Sequence, residues 1–158
     1  MFRTIRKKKN EISINKSVIY LIIAIPTIVF TIWDLFCGSI QIRCNDRDFN
    51  IEAKGWNDYT GEYSQIDSIS YEDSISYEVN VLQNDNDHRT NGFGNLKYAM
   101  GNFNNDIFGD YIRYTHASCH SYVVMDIDGK ILVVNGENDA ETKEIYQRIS
   151  EKVSKERK

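Results

Sequence analysis

The stretch HASCH, residues 116–120, contains the residue types that bind zinc, namely His116, Cys119 and His120. On an extended strand, residues four positions apart are separated by about 13 Å, which is too far for two ligands of one ion. Adjacent strand residues also point to opposite faces, which opposes a Cys119–His120 dyad. Only a compact loop would bring these groups together. A metal-dependent or enzymatic protein using this region is therefore the alternative hypothesis, and no metal ligand is predicted.

Three glycines interrupt the stretch RTNGFGNLKYAMGNF, residues 89–103. A dinucleotide-binding loop needs a third glycine after Gly92 and Gly94 and a helix behind it, and neither is present. The GK[ST] of a phosphate-binding P-loop is also missing. We therefore predict no cofactor, a tight turn at Asn91-Gly92, and bulges or close backbone approach at Gly94 and Gly101.

Acidic pairs and cysteines offer little further chemistry. Glu72-Asp73 is more typical of a solvated strand face than of general acid–base catalysis. The three cysteines allow at most one disulfide. Cys44 with Cys119 is a possible pair if this part of the chain lies outside the cell.

Charge and hydropathy divide the chain into a basic head, an apolar span and an acidic remainder. Residues 1–16 hold six Lys and Arg against one Glu, and residues 18–33 are apolar except for two threonines. About 20 apolar helical residues cross a bilayer, so we predict a basic cytoplasmic tail over residues 1–16 and a transmembrane helix over residues 17–38. The RKKK cluster predicts a cytoplasmic amino terminus and an outer location for residues 39–158.

Three other interpretations of the apolar span stay open. The first is a buried core helix, although the apolar stretch of such a helix is usually shorter than this one. A cleaved signal peptide is compatible with the small residues of Cys37-Gly38-Ser39. A lipoprotein signal fits less well, because Phe36 precedes Cys37 where a small residue is required. We favour an uncleaved single-pass anchor in the cell membrane.

Residues 39–158 have the pattern of a mainly β domain. Period-two alternation predicts strands over residues 39–44, 49–53, 111–114, 121–127 and 131–134, and Asp128-Gly129 predicts a hairpin. DSISYE occurs twice, over residues 67–78, and because six is even both copies keep their apolar residues on one face. Asn138 with Glu141 predicts a helix start and Ile145, Ile149 and Val153 its apolar stripe, over residues 139–155.

Several of these segments together resemble the bacterial pleckstrin-homology-like domain proteins of the membrane-anchored type. The resemblance covers about residues 39–154 and rests on RTNGFG, a GNF element, YIRY, VVMDIDGKILVVN and DAETKEIYQRI, after a basic membrane segment. It implies a bent antiparallel sandwich or barrel of about seven strands capped by a C-terminal helix. The duplicated DSISYE and the insert of residues 84–87 depart from the pattern. The role implied is a scaffold or binding module.

The function expected from the sequence is a non-catalytic, membrane-tethered interaction module that binds a protein partner or self-associates. An anionic lipid headgroup and nucleic acid are disfavoured, since residues 41–158 hold 13 Lys and Arg against 21 Asp and Glu. The candidate binding residues form a predicted loop surface and are Arg89, Asn91, Gly92, Phe93, Gly94, Tyr98 and Phe103.

Overall fold

The computed structural model describes residues 16–73 and 86–157, apart from the side chains of residues 17–18 and 34–36. Contacts divide the chain into two units, Met1–Asp34 and Leu35–Lys158, and each is described by itself. The described part is mainly β, with nine strands in two sheets and a C-terminal helix. The basic tail, the second DSISYE copy and most of the acidic insert lie outside the described residues.

Helix α1 (Lys16–Phe36) lies, apart from Lys16, within residues 17–38, the segment that the sequence predicts to span a membrane. Its large apolar side chains between Ile19 and Trp33 are 43–73% exposed. Where side chains are described, no helix is long and apolar enough to cross a membrane. The helix is therefore shown, and its insertion in a membrane stays a prediction.

Three antiparallel strands form the smaller sheet, in the order β1 (Ser39–Cys44), β2 (Asp48–Lys54) and β3 (Tyr59–Glu62). The first two confirm the strands predicted from alternation. In β2 the apolar residues Phe49, Ile51 and Ala53 are buried, whereas their neighbours are not. A short 3₁₀ turn follows β3 and leads into the larger sheet.

The larger sheet has six strands in the order β4-β8-β9-β7-β6-β5. Its strands are β4 (Ile66–Glu72), β5 (His88–Gly94), β6 (Tyr98–Asn105), β7 (Gly109–His116), β8 (Tyr122–Ile127) and β9 (Lys130–Val134). Asp128 and Gly129 both have positive φ, 51° and 77°, and they connect β8 to β9, so the predicted hairpin is confirmed.

Two expectations about this architecture are corrected. The described residues contain nine strands where about seven were expected, because residues 59–62 and the glycine-rich stretch contribute strands of their own. The pairing is not antiparallel throughout, since β7 and β9 are parallel. The β8–β9 hairpin causes this: its second strand inserts between β7 and β8 and runs in the same direction as β7.

Helix α2 (Asp139–Glu156) completes the core against both sheets. Asn138 caps it by accepting a hydrogen bond from the backbone of Glu141, as predicted. The predicted stripe of Ile145, Ile149 and Val153 is buried in the core. The main core cluster also includes Phe49, Ile51, Met100, Tyr114, Met125 and Leu132.

A second buried cluster lies on the six-stranded sheet around Phe103, Tyr111 and Val133. Asp87 is buried beside it and accepts hydrogen bonds from the hydroxyl of Tyr111 (2.6 Å) and from Arg113 (3.1 Å). The guanidinium of Arg113 lies 5.2 Å from the centre of the Phe103 ring. Burial, followed by the hydrogen bond to Asp87, raises the pKa of Tyr111. The charges in this cluster are paired, which indicates a structural role.

Candidate functional site

The backbone of β1 has a free side, as the hydrogen bonds of its partner strand show. Ala53, the partner of Ile40, donates its backbone N–H to Asp58 Oδ1 (2.8 Å) and its carbonyl accepts from Trp56 N (3.2 Å). Both backbone groups of Ala53 therefore point away from β1. In an antiparallel pair, such residues face each other without hydrogen bonds. The N–H and C=O of Ile40 consequently point away from β2.

The same alternation applies two residues further along β1. Asn45 N donates to Asp48 O (2.9 Å), which closes the β1–β2 hairpin as a hydrogen-bonded pair. Counting back by steps of one, Cys44 and Ile42 are in non-hydrogen-bonded positions and Arg43 is in a hydrogen-bonded one. Ile40 and Ile42 thus present two donors and two acceptors at the outer edge. Within the described ranges, no strand pairs with this edge.

A groove of about 400 Å³ runs along this edge. Its lining includes residues 39–43 of β1 and, from the start of α2, Glu137 and Glu141. Tyr98 and His116 complete the lining. We refer to this cavity as the β1 groove.

Tyr98 and His116 are held in the β1 groove by strand pairing. They are directly opposite each other on β6 and β7, and their ring centres are 5.2 Å apart. His116 N donates to the buried Asn135 Oδ1 (2.7 Å), and Asn135 Nδ2 returns a hydrogen bond to His116 O (3.2 Å). His116 is 9% exposed, and its Nδ1 has no hydrogen-bond partner in the described part of the chain.

The acidic wall of the β1 groove is fixed by the helix cap. Glu141 Oε2 accepts a hydrogen bond from Glu137 N (2.8 Å), while the backbone of Glu141 donates to Asn138. The predicted capping box is thus modified, because the glutamate reaches the residue before the cap. Neither glutamate has an ion-pair partner among the residues described. On the other wall, Arg43 is paired with Glu52 at 2.8 Å.

The predicted turn at Asn91-Gly92 is wrong, because both residues lie inside β5. Gly92 is directly opposite Gly101 on β6, and both have positive φ, 149° and 132°. A Cβ on Gly101 would lie 2.2 Å from Asn91 O and one on Gly92 would lie 2.1 Å from Met100 O, so the predicted close backbone approach is confirmed for Gly101 and extends to Gly92. At Gly94 an added Cβ would meet the side chain of Arg89, and Tyr98 O would be 3.6 Å away, so the close approach there is to a side chain. The pairing register also shifts between Arg89 and Asn91.

The turn between β5 and β6 is instead organised by Asn95. Its side-chain oxygen accepts from Lys97 N (2.8 Å) and Tyr98 N (3.0 Å), and its Nδ2 donates to Cys37 O (2.6 Å). Sequence reasoning did not identify this residue, although an asparagine before a turn is a usable signal. The turn is thereby attached to the segment that enters β1.

The seven candidate residues do not form a single exposed surface. Phe93 packs against Gly38 and Gly55, and Tyr98 packs against Gly38 and lines the β1 groove. Phe103 is 6% exposed and belongs to the second core cluster. The exposed members are Arg89, Asn91 and Gly94, and Gly92 is half-buried. Tyr98 is thus the candidate that lines the groove, together with Ile40, Ile42, His116, Glu137 and Glu141, which were not predicted as binding residues.

The residues of HASCH lie in different environments. Cys119 is buried, and its thiol lies 3.2 Å from Thr142 Oγ1 and 3.4 Å from Asp139 Oδ1. His120 is exposed. In the described ranges, no group of three His, Cys, Asp or Glu residues is arranged to hold a metal ion. All three cysteines are free, so the structure does not contain the Cys44–Cys119 disulfide considered above.

A polar network joins this region to the start of α2. Ser121 donates to Asp139 Oδ1 from its hydroxyl (2.8 Å) and from its backbone (3.2 Å). The hydrogen bonds from Ser121 and then Cys119 lower the pKa of Asp139. Thr142 Oγ1 accepts from Gly136 N (2.9 Å). These contacts fix the wall of the β1 groove that carries the two glutamates.

Comparisons of this chain with protein-family models, with curated proteins and with solved structures find no match. The resemblance to pleckstrin-homology-like proteins therefore stays a prediction.

Proposed function

We propose that the protein is a non-catalytic interaction module, tethered to the membrane, that binds an extended segment of a protein partner by strand addition to β1. The observation that carries the proposal is the unpaired backbone of Ile40 and Ile42 beside the β1 groove. An unpaired strand edge is a template for a further strand, and a neighbouring groove accepts its side chains. Ile42 is half-buried, and Ile40 is 8% exposed because its side chain packs in the core. At the outer edge of β3 the N–H of Glu62 already donates to Gln65 Oε1 (3.4 Å), and the edges at β4 and β5 adjoin residues outside the described ranges, so the proposal is confined to the edge at β1.

The expected strength of this interaction is modest. The two donors and two acceptors of Ile40 and Ile42 contribute about 0.5–1.5 kcal/mol each, or about 2–6 kcal/mol together. A millimolar dissociation constant corresponds to about 4 kcal/mol, and binding also costs the ordering of the segment. Backbone pairing alone therefore gives weak binding, and contacts with side chains lining the β1 groove have to supply specificity.

The membrane tether is the second part of the proposal. Its support is the apolar sequence of residues 18–33 behind the RKKK cluster, together with the exposed apolar side chains of α1. The two threonines of residues 18–33 are satisfied within the helix: Thr27 donates to Ile23 O (2.8 Å), and Thr31 donates to Thr27 O. The hydrocarbon core of a bilayer contains no water, so polar groups there need hydrogen-bond partners within the protein. In this proposal the amino terminus is cytoplasmic and residues 39–158 lie on the outer side.

Two proline substitutions separate strand addition from general damage to the sheet. Ile42→Pro removes an N–H that points away from β2, so the β1–β2 ladder keeps its hydrogen bonds. Thr60→Pro is the matched control. The backbone of Ile51 forms hydrogen bonds with Tyr59 of β3, so the N–H of the next residue, Thr60, points to the outer edge of β3, on the other side of the sheet from β1. Both variants also lose a side-chain contact, that of Ile42 with the core and that of Thr60 Oγ1 with Asn50 Oδ1 (3.3 Å), so both should unfold in urea at a somewhat lower midpoint than the wild type while remaining folded without urea.

The test uses the full-length protein in cells with a photo-crosslinking amino acid at Gln41, whose exposed side chain lines the β1 groove. We expect a crosslinked protein adduct that survives Thr60→Pro and is lost in Ile42→Pro. A crosslinker at the exposed Gln147 on α2 controls for random encounters. An adduct that persists unchanged in folded Ile42→Pro would contradict the proposal. If Ile42→Pro does not fold, the deciding measurement is hydrogen exchange of the Ile42 amide in the crosslinked wild type. Slower exchange supports the proposal, and unchanged exchange contradicts it.

A further inference from the structure

The charged groups that line the β1 groove are unequally compensated. Arg43 is paired with Glu52, whereas neither Glu137 nor Glu141 has an ion-pair partner within 4 Å among the described residues, and Arg148, which interacts with Glu141 at longer range, is paired with Glu144. Both glutamates are exposed, and the hydrogen bond from Glu137 N holds the Glu141 carboxylate in place. Two carboxylates, of which that of Glu141 is held in place, therefore line the same groove as the free edge of β1.

The start of α2 does not cancel this negative charge. A helix amino terminus carries the equivalent of about half a positive charge. Glu137, Asp139 and Glu141 together bring three negative charges to the same turn. The potential at this end of the β1 groove is consequently negative, which favours a cation in the occupant.

The overall charge of the domain argues against a second copy as the occupant. Residues 41–158 contain 13 Lys and Arg against 21 Asp and Glu, so two copies repel each other. A basic segment is attracted by the same field. Charge complementarity therefore favours a basic segment over a second copy of the domain.

The rings lining the β1 groove add a preference for one kind of cation. Tyr98 is half-buried, and a guanidinium stacks on an aromatic face more often than an ammonium does. His116 lines the groove and is nine-tenths buried, and its Nδ1 has no partner in the described part of the chain. That nitrogen is itself inaccessible, so the preference for a guanidinium rests on Tyr98 and on the carboxylates of Glu137 and Glu141, which accept from its several N–H donors.

We infer that the segment bound at the β1 groove is basic, with an arginine that lies between Tyr98 and the carboxylates of Glu137 and Glu141. This inference rests on the proposed strand addition at β1 and specifies its partner. The backbone of the segment pairs with Ile40 and Ile42, while its arginine side chain crosses the groove to the start of α2.

The test measures binding of three short peptides to full-length, isotope-labelled protein in detergent by NMR titration. The peptides alternate Val and Thr and differ only at a central residue, which is Arg, Gln or Glu. We expect the Arg peptide to bind about five to ten times more tightly than the Gln peptide, as partly exposed ion pairs and a cation–π contact allow. The Glu peptide should bind more weakly than either.

The double variant Glu137→Gln/Glu141→Gln should remove this preference and leave binding of the Gln peptide in place. The contact between Glu141 and the Glu137 N–H does not require a charge, because the amide oxygen of a glutamine accepts the same hydrogen bond. The matched control is Glu156→Gln on the same helix, outside the groove and, among the described residues, without an ion pair, which should keep the preference.

The outcomes separate the two proposals. Equal binding of the Arg and Gln peptides, lost in Ile42→Pro, overturns the basic preference and keeps strand addition. No peptide binding, or binding that Ile42→Pro does not change, overturns both. Concentration-dependent dimerisation that Ile42→Pro abolishes overturns the inference in favour of a second copy. Persistence of the Arg preference in the double glutamine variant also overturns it, because the carboxylates would not be its source.

Discussion

The facing glycines of β5 and β6 make a prediction that depends directly on the backbone geometry. A Cβ on Gly101 would lie 2.2 Å from Asn91 O and 2.5 Å from Gly92 Cα, and the φ of this residue is 132°. The backbone strain alone costs about 1–3 kcal/mol. Separating the strands also weakens neighbouring ladder hydrogen bonds, each worth about 1 kcal/mol. We therefore expect Gly101→Ala to lower the free energy of unfolding by about 3–5 kcal/mol.

A matched control isolates the close approach from the backbone strain. Gly109 also has positive φ (64°), but a Cβ there has no atom within 4 Å. Gly109→Ala should therefore cost only about 1–2 kcal/mol. Both variants are measured by urea unfolding of the full-length protein in detergent, followed by the fluorescence of Trp56 in the β domain.

The double substitution provides a second, independent check of the same geometry. Gly92→Ala should be as damaging as Gly101→Ala, because its Cβ would lie 2.1 Å from Met100 O. Once the strands have separated for one methyl group, the second costs less, so the double variant should fall short of the sum by about 0.5–3 kcal/mol. The close approach is refuted as the cause if Gly101→Ala is within about 1 kcal/mol of Gly109→Ala, or if the two effects are additive.

Three further predictions concern the helix cap, a buried tyrosine and the cysteines. Asn138→Ala should lower the free energy of unfolding by about 0.5–2 kcal/mol, since it removes the acceptor for Glu141 N, and Asn138→Asp, tested in the same urea titration, should cost little. Burial is the main reason that the pKa of Tyr114 is raised to about 12, so the folded state keeps its proton after the unfolded state has lost it. Stability should therefore be complete below about pH 10 and fall between about pH 10 and 12; unfolding midpoints at pH 8 and pH 11 that differ no more in wild type than in Tyr114→Phe would contradict this. A thiol reagent should modify Cys37 and Cys44, which are half-buried, much faster than the buried Cys119, and equal rates would place Cys119 at the surface.

The parts of the fold that sequence reasoning anticipated are local. Asp128-Gly129 supplies the positive φ angles that a two-residue hairpin needs, and Asn138 supplies the cap of α2. The alternation of β2 likewise depends only on neighbouring residues. Each of these signals lies within a few positions of the structure it specifies.

The parts that were missed depend on pairs of distant segments. The parallel pairing of β7 with β9 is set by where the β8–β9 hairpin docks, which no short stretch of sequence records. The interpretation of Asn91-Gly92 as a turn failed because a glycine at positive φ also serves where two strands approach closely.

The β1 groove could not be read from the sequence for a related reason. Whether Ile40 and Ile42 have free backbone groups depends on which strand lies beside β1 and on the phase of the β1–β2 hydrogen bonds. The residue types of HASCH suggested zinc binding, whereas His116 lines the groove because strand pairing places it opposite Tyr98. Whether a backbone N–H or C=O has a hydrogen-bond partner, unlike the chemistry of a side chain, cannot be determined from the residue types alone.

The position of α2 after all nine described strands has a consequence for biosynthesis. The helix fills the core with Ile145, Ile149 and Val153, and Arg157 donates hydrogen bonds to Ile66 O (2.7 Å) and Asp67 O (2.8 Å). During synthesis, β1 to β9 emerge before the element that covers their apolar faces. The nascent domain is therefore exposed to aggregation and to chaperones until this helix is available. A stop codon that removes only the last two turns should prevent the domain from maturing, although every strand is still encoded.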